Sequence, residues 1–263
     1  MSASPRDAVA LRMDDVGAAS KRHEVHGLTR LRVAGLSVPF PGNLLFLKYL
    51  PPIKCWGPYR ELEPGELETV LEHLALGRAR LTIAVTAGWV EDDGSITPYP
   101  SKFPAASRVL RQGVERGLVE IANHGYTHCV LRDGRFRPRL FSGNRTDHRE
   151  FYDWLPESLH REHIRRAQGI LQDFIGRPVE TLVPPGNVLS RKTLAAAAEA
   201  GLRVVSCLGA SAWAPAEGLA FLDDERVVAF HDRDLVLGGA APLDRLLRAA
   251  PSGGYVTVRE AAA

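Results

Sequence analysis

The chain has 263 residues, 45% of them hydrophobic and 24% charged, which suits a folded protein with a real core and excludes a disordered or fibrous chain. Its net charge of +2 is spread without a basic run, which excludes nucleic acid as an expected partner. Three widely separated cysteines, Cys55, Cys129 and Cys207, with no C-x-x-C, exclude a disulfide framework and a zinc ribbon.

The opening residues, 1–7, lack the charged start and apolar stretch of a secretory leader, and no segment reaches membrane-spanning length. No transmembrane segment and a cytoplasmic setting are therefore expected. A chain of this length can still grow around one core, so one catalytic domain over residues 1–263 is expected, and a homo-oligomer is compatible with it.

Short apolar runs predict buried strands at residues 8–13, 81–85, 118–122, 181–183, 203–207, 227–230 and 255–258. Helical stripes lie between them. Leu67, Val70, Leu71 and Leu74 form one, closed by Gly77; Ile164, Ala167, Leu171 and Phe174 form another, ending at Gly176 and Pro178. A third helix is expected from Ser190, a good N-cap, to Gly201. Alternating strands and helices imply right-handed βαβ units, either an open doubly wound sheet or a barrel, and about seven strands favour the barrel. Two stretches resist this pattern, 16–63 and 129–155, the second punctuated by Gly134 and Gly143. Connections of that length in a compact domain usually act as lids or binding loops.

Four candidate motifs fall at strand ends. In the first, Leu11-Arg-Met-Asp14-Asp15-Val-Gly17, two carboxylates close an apolar strand; successive side chains point opposite ways, so the pair can take two separate roles, although Asp-Asp before glycine also reads as a turn cap. In the second, Asn123-His124-Gly-Tyr-Thr-His128, two imidazoles four residues apart can share a metal if the chain turns at Gly125, and the same spacing can arise by chance. The third is a rigid turn, Pro184-Pro185-Gly186-Asn187, and the fourth is His231 directly after a strand, a setting that also suits a structural histidine. Independent turns and structural histidines do not explain why all four gather at the C-terminal ends of parallel strands, where α/β barrels assemble active sites. Two histidines and one carboxylate form a three-ligand set that leaves a position open, as catalytic zinc requires, with an aspartate and a histidine to spare for proton transfer. His160 and His163 are also close in sequence, but they are read here as the solvated face of a helix among Arg161, Glu162 and Arg165.

The order Asp14-Asp15, His124-x-x-x-His128, Pro184-Pro185-Gly186 and His231 resembles the polysaccharide deacetylase (NodB-homology) family, from residue 8 to about residue 235. The resemblance implies an α/β fold, a single distorted (β/α)7 barrel. It implies one divalent metal, most simply Zn2+, on Asp15, His124 and His128. It makes Asp14 the base that takes a proton from the attacking water and His231 the acid that protonates the departing amine. Two departures bear on the base. Arg12, Met13 and Val16 stand where the family has threonine, phenylalanine and glycine, and Leu182 stands where an arginine usually orients the base. Arg12, Arg145 and Arg149 are the candidates to replace that contact.

The expected reaction is hydrolytic removal of an N-acetyl group, with O-acetyl as the lesser option, from an acetylated sugar, glycoside or nucleotide sugar. Pro184, Pro185, Gly186 and Asn187, together with Arg149 and Trp154 from the long loop, are the expected substrate contacts. The aromatic residues Trp56, Tyr59, Trp89, Tyr99, Phe141, Tyr152 and Trp154 divide between sugar-stacking surface and satellite core, and residues 148–151 offer further polar contacts. The rivals are an amidohydrolase acting on a non-sugar C–N bond and a silent glycan-binding barrel. The missing motif arginine supports the silent barrel, while the intact Asp14 and His231 oppose it.

Overall fold

A computed structural model describes residues 9–44, 46–132, 149–209, 218–222 and 224–263. Gly134, Phe141, Gly143, Arg145 and His148, named above, lie outside the described residues.

Eight strands build the main sheet: β1 (Val9–Val16), β2 (Leu81–Val85), β3 (Val119–Asn123), β4 (Thr181–Leu182), β5 (Val204–Ser206), β6 (Ala220–Leu222), β7 (Val227–His231) and β8 (Tyr255–Val256). Seven of them run β6-β5-β4-β3-β2-β1-β7, all in parallel, and β8 pairs with the start of β1. Chain order thus equals sheet order up to β6, and β7 then returns to the other side of β1. The sheet is curled, because Ala10 on β1 packs with Val204 on β5 and Leu222 on β6, strands that are not its neighbours along the sheet. Among the described residues β6 and β7 are not paired, so the expected (β/α)7 barrel is present in its distorted, incompletely closed form.

The inside is narrow and filled by small side chains, Ala84, Ala122 and Val183. Its lower end is plugged by Val258 and Ala261 of a C-terminal helix, Val258–Ala262. The larger core lies outside the sheet. There α1 (Pro64–Leu76), α2 (Pro104–Glu115), α3 (Glu157–Ile175) and α4 (Arg191–Glu199) bury their apolar stripes against Leu11, Met13, Ile83, Ile121 and Leu182.

The helix signals in the sequence hold. The four stripe residues of α1 are buried, α3 ends at Gly176 in a left-handed conformation (φ 67°), and the Ser190 side chain accepts from the Thr193 amide at the start of α4. One reading is corrected. His160 is not on a solvated face: it is 1% exposed and bonds Thr193 Oγ1 (3.0 Å) and the Tyr152 carbonyl (3.2 Å). It lies one turn before Ile164, on the apolar stripe itself. The 16–63 stretch is also more ordered than a loop. Residues His26–Gly27 pair with Lys54–Trp56, and Arg30–Val33 pairs with Leu36–Pro39 as a hairpin.

Candidate metal centre and active site

The first strand runs further than its apolar pattern suggested and carries both aspartates inside it. Arg12 and Asp14, two residues apart, lie on the same face of β1. Asp15 does not continue the alternation, because it sits at φ 74° where the register with β2 shifts between Met13 and Val16. This irregularity turns Asp15 back, so that both carboxylates line one cavity of about 380 Å³.

Asp15 Oδ1 lies 3.2 Å from His124 Nε2 and 3.1 Å from His128 Nε2. His124 Nδ1 donates to the Val183 carbonyl at 2.6 Å. That bond fixes the ring and leaves Nε2, in the neutral tautomer, with a lone pair directed at a carboxylate oxygen. One ligand atom from each of Asp15, His124 and His128 lies within 4.8 Å of the others, and all three residues are buried. Two imidazoles and a carboxylate aimed at one point fit a divalent ion of the zinc type, which would satisfy lone pairs that otherwise oppose one another.

The second histidine owes its place to a residue the sequence did not single out for that task. His128 is at φ 61°, and the loop before it is pinned by Glu150, whose carboxylate accepts from the amides of Tyr126, Thr127 and His128 at 3.0 to 3.3 Å. His163 Nδ1 bonds the same carboxylate, so this histidine too is no mere solvated side chain. Burial raises the Glu150 carboxyl, yet His163 and the backbone amides outweigh it and hold Glu150 below its ordinary value. Gly125 is required here, since a Cβ at that position (φ 79°) would stand 2.1 Å from Glu150 Oε2.

The missing motif arginine has a replacement. Arg12 Nε lies 2.8 Å from Asp14 Oδ1 and Nη2 donates to Oδ2 at 2.9 Å, while Nη1 donates across the barrel to Ser206 Oγ (2.7 Å) and the Ser206 carbonyl (3.1 Å). Leu182 is fully buried in the outer core, pointing away from Asp14. Arg149 does not take the contact either; it packs over Gly186, where a Cβ would lie 2.5 Å from its Nε.

His231 lines the same cavity as Asp14 and Asp15. Arg233 Nη2 donates to His231 Nδ1 at 3.0 Å, so the neutral ring carries its proton on Nε2, and Asp234 Oδ2 lies 3.9 Å from the same Nδ1. Arg233 also stacks over Trp56 at 4.5 Å and reaches Asp15 Oδ2 at 3.5 Å. Beneath lies a buried ionic cluster in which Lys21 Nζ donates to Asp232 and to Glu61 (2.7 Å), and Glu61 accepts from the Gly17 amide (3.0 Å). Burial would lower the Lys21 ammonium, but the two carboxylates raise it. Burial, with the negative charges of Glu61 and Asp15, raises Asp232 to about 7 against the pull of Lys21.

Of the expected substrate contacts, Gly186, Asn187 and Arg149 line the cavity, while Pro184 and Pro185 stand behind it. Trp154 is not among the residues lining the cavity; it is 55% exposed and stacked on Tyr152 at 5.7 Å. Among the aromatic residues Trp56 lines the cavity, stacked on His26 at 5.3 Å, whereas Tyr59, Trp89 and Tyr99 are buried. The long segment before α1 supplies Glu24, Val25, His26, Asn43, Lys48 and Trp56 to the wall.

The model of the polysaccharide deacetylase family matches residues 57–205, more than half of the chain. The chain belongs to the polysaccharide deacetylase family. The matched span contains His124, His128 and the Pro-Pro-Gly turn; Asp14, Asp15 and His231 of this polysaccharide deacetylase lie outside it and join the site through β1 and β7. No curated protein matches the chain. Similar solved structures include a CE4 family pseudoenzyme from Bacillus anthracis, at 13% identity over 77% of this chain and 60% of that one (TM-score 0.45). They also include a family 4 carbohydrate esterase from Streptomyces lividans in complex with acetate, at 16% over 70% and 80% (TM-score 0.43). A family 4 acetyl xylan esterase from Clostridium thermocellum in complex with a cobalt ion is similar at 15% over 77% and 86% (TM-score 0.44). The chain spans about three fifths of the length of the pseudoenzyme.

Proposed function

We propose that this polysaccharide deacetylase is a metal-dependent hydrolase that removes an N-acetyl group from a sugar-containing substrate, with zinc held by Asp15, His124 and His128. The observation that carries the reading is that Asp15 Oδ1 sits within 3.2 Å of both imidazole Nε2 atoms, with Asp14 and His231 on the wall of the same cavity. When bound, the metal supplies Lewis acidity toward the acetyl carbonyl and lowers the pKa of water. Asp14, held by the Arg12 fork, takes the proton from the attacking water. His231 holds its proton on Nε2, the atom free to deliver it to the departing amine. To act as an acid His231 must also be protonated at Nδ1, where Asp234 Oδ2 at 3.9 Å is the acceptor at hand once the Arg233 contact is given up. Asp14 and Arg12 are 6% and 2% exposed, so their ion pair, with its hydrogen bond from Nη2 to Oδ2, works in a dry setting where charge-assisted bonds are strong.

The cavity wall also carries Lys48, Arg149 and Arg233. Three cations against Glu24 and two carboxylates committed to Arg12 and to a metal favour an anionic substrate, so among acetylated sugars we favour a nucleotide sugar, which suits a cytoplasmic setting. Among the described residues no helix is long and apolar enough to cross a membrane. The Arg12 fork removes the main support for a silent binding barrel, since the base is oriented despite Leu182.

The test is acetate release from matched N-acetylated substrates: a free sugar, a glycoside and a nucleotide sugar, with linear and cyclic amides alongside. Release from the nucleotide sugar above the others supports the reading. Turnover of the amides alone would move the function to a non-sugar C–N bond, and no turnover at all with metal bound would favour the binding barrel.

A further inference from the structure

The segment that roofs the cavity is chemically unlike the rest of the surface. Between Glu24 and Glu61 there is no acidic residue, while Arg30, Arg32 and Lys54 are exposed there; Lys48 is buried and Arg60 is paired with Glu66. Of the twelve large hydrophobic side chains exposed among the described residues, eight lie between Leu31 and Leu50. A patch this concentrated is not the ordinary scatter of surface apolar residues.

Its geometry is ordered. In the hairpin Arg30–Val33 with Leu36–Pro39, Leu31 faces Val38 and Val33 faces Leu36, so four apolar side chains share one face. Val33 is 58% exposed and Leu36 71%. Arg30 and Arg32 alternate with them onto the other face, where Arg30 bonds Ser37. Leu44, Phe46, Tyr49 and Leu50 extend the exposed apolar surface toward the stretch that supplies Asn43 and Lys48 to the cavity wall.

We propose that this hairpin and the following turns dock the protein on an anionic lipid surface. An apolar face with arginines and no carboxylate of the segment on the opposite, polar face is what an interfacial element needs, because burial of the apolar face and attraction to acidic headgroups then add. A second copy of the chain is the poorer occupant: a self-complementary contact through the apolar face offers Arg30, Arg32 and Lys54 no acid of the segment to pair with, whereas an anionic surface does. Docking here sets the mouth of the cavity next to the bilayer, because the same segment forms both surfaces.

The proposal stands apart from the chemistry of the site, and its test needs no turnover. The full chain is centrifuged with vesicles of phosphatidylcholine alone and of phosphatidylcholine with phosphatidylglycerol. Pelleting with the anionic vesicles, weakened by salt, is expected, with little on the neutral ones. The Arg30→Glu/Arg32→Glu variant should bind more weakly by about fivefold or more per cation removed. Leu36→Asp/Val38→Asp should stay in the supernatant while keeping the circular dichroism spectrum and metal content of the parent, since these side chains pack against nothing in the core. Failure of the parent to pellet with anionic vesicles would overturn the proposal, as would undiminished binding of Leu36→Asp/Val38→Asp. Self-association of the parent, lost in the same variant and without vesicle binding, would assign the face to a second copy and equally overturn it.

Discussion

Arg12 and Asp14 stand two residues apart on one face of β1, and the guanidinium of the first clasps the carboxylate of the second through two contacts of 2.8 and 2.9 Å. The contact that Leu182 does not make is thereby supplied from within the strand that carries Asp14, the proposed base. Arg12→Ala should lower turnover by about 1 to 3 kcal/mol, the worth of a charged hydrogen bond, while metal stoichiometry stays unchanged. Arg12→Lys should recover only part of the loss, because an ammonium cannot present the planar fork. Arg149→Ala should instead raise KM, since its guanidinium covers Gly186 on the cavity wall. Equal turnover in Arg12→Ala and the parent would remove Arg12 from the mechanism.

Asp14→Asn and His231→Ala should each retain metal and lose turnover by about 10² to 10⁴-fold, the range for general base and acid steps. Metal analysis beside steady-state rates separates this from collapse of the site. Wild-type rates in both variants would reject the assigned roles.

Glu150 ties stability to acid. Its carboxyl lies below its ordinary value of 4.5 in the folded protein, so the stabilisation it contributes is fully present above that value. It fades as the pH falls below 4.5 through the lowered folded value. Thermal melts of Glu150→Gln should therefore lie below the parent at neutral pH and converge with it in acid. A constant gap between the two across that window would show that ionisation of Glu150 is not the cause. The variant should also bind metal more weakly, because Glu150 holds the His128 amide at 3.0 Å.

Lys21 is fully buried between Glu61 and Asp232, so Lys21→Met leaves two carboxylates without their cation. A broken buried pair costs about 3 to 5 kcal/mol, and the melting temperature should drop accordingly. Lys21→Met combined with Asp232→Asn should recover part of it. No recovery in the double variant would show that lost packing, not charge, sets the cost.

The strand-end residues were legible in the sequence because parallel strands deliver their C-terminal ends to one face, and Asp14, Asp15, His124, His128 and His231 all lie there. The i, i+2 relation could also have selected Arg12 from its rivals, as it places that side chain on the face of Asp14. The turn at Asp15 was not legible, since a positive φ at an aspartate has no signature in a strand that reads as regular. Glu150, Lys21, Glu61 and Arg233 escaped for another reason. The partners that define their roles, His128 for Glu150, Glu61 and Asp232 for Lys21, and Asp15 for Arg233, lie 22 to 218 residues away, and nothing local distinguishes them from surface charges. His160 was misread because its charged neighbours masked its place one turn from Ile164.

The central claim is that Asp15, His124 and His128 together hold one divalent ion on which hydrolysis depends. Elemental analysis of the purified parent, His124→Ala and His128→Ala, each confirmed folded by circular dichroism, tests it most directly. The account predicts one zinc per parent chain and close to none in either variant, with the fold kept because the ligands sit above a finished barrel. Stoichiometric metal in both variants would contradict it.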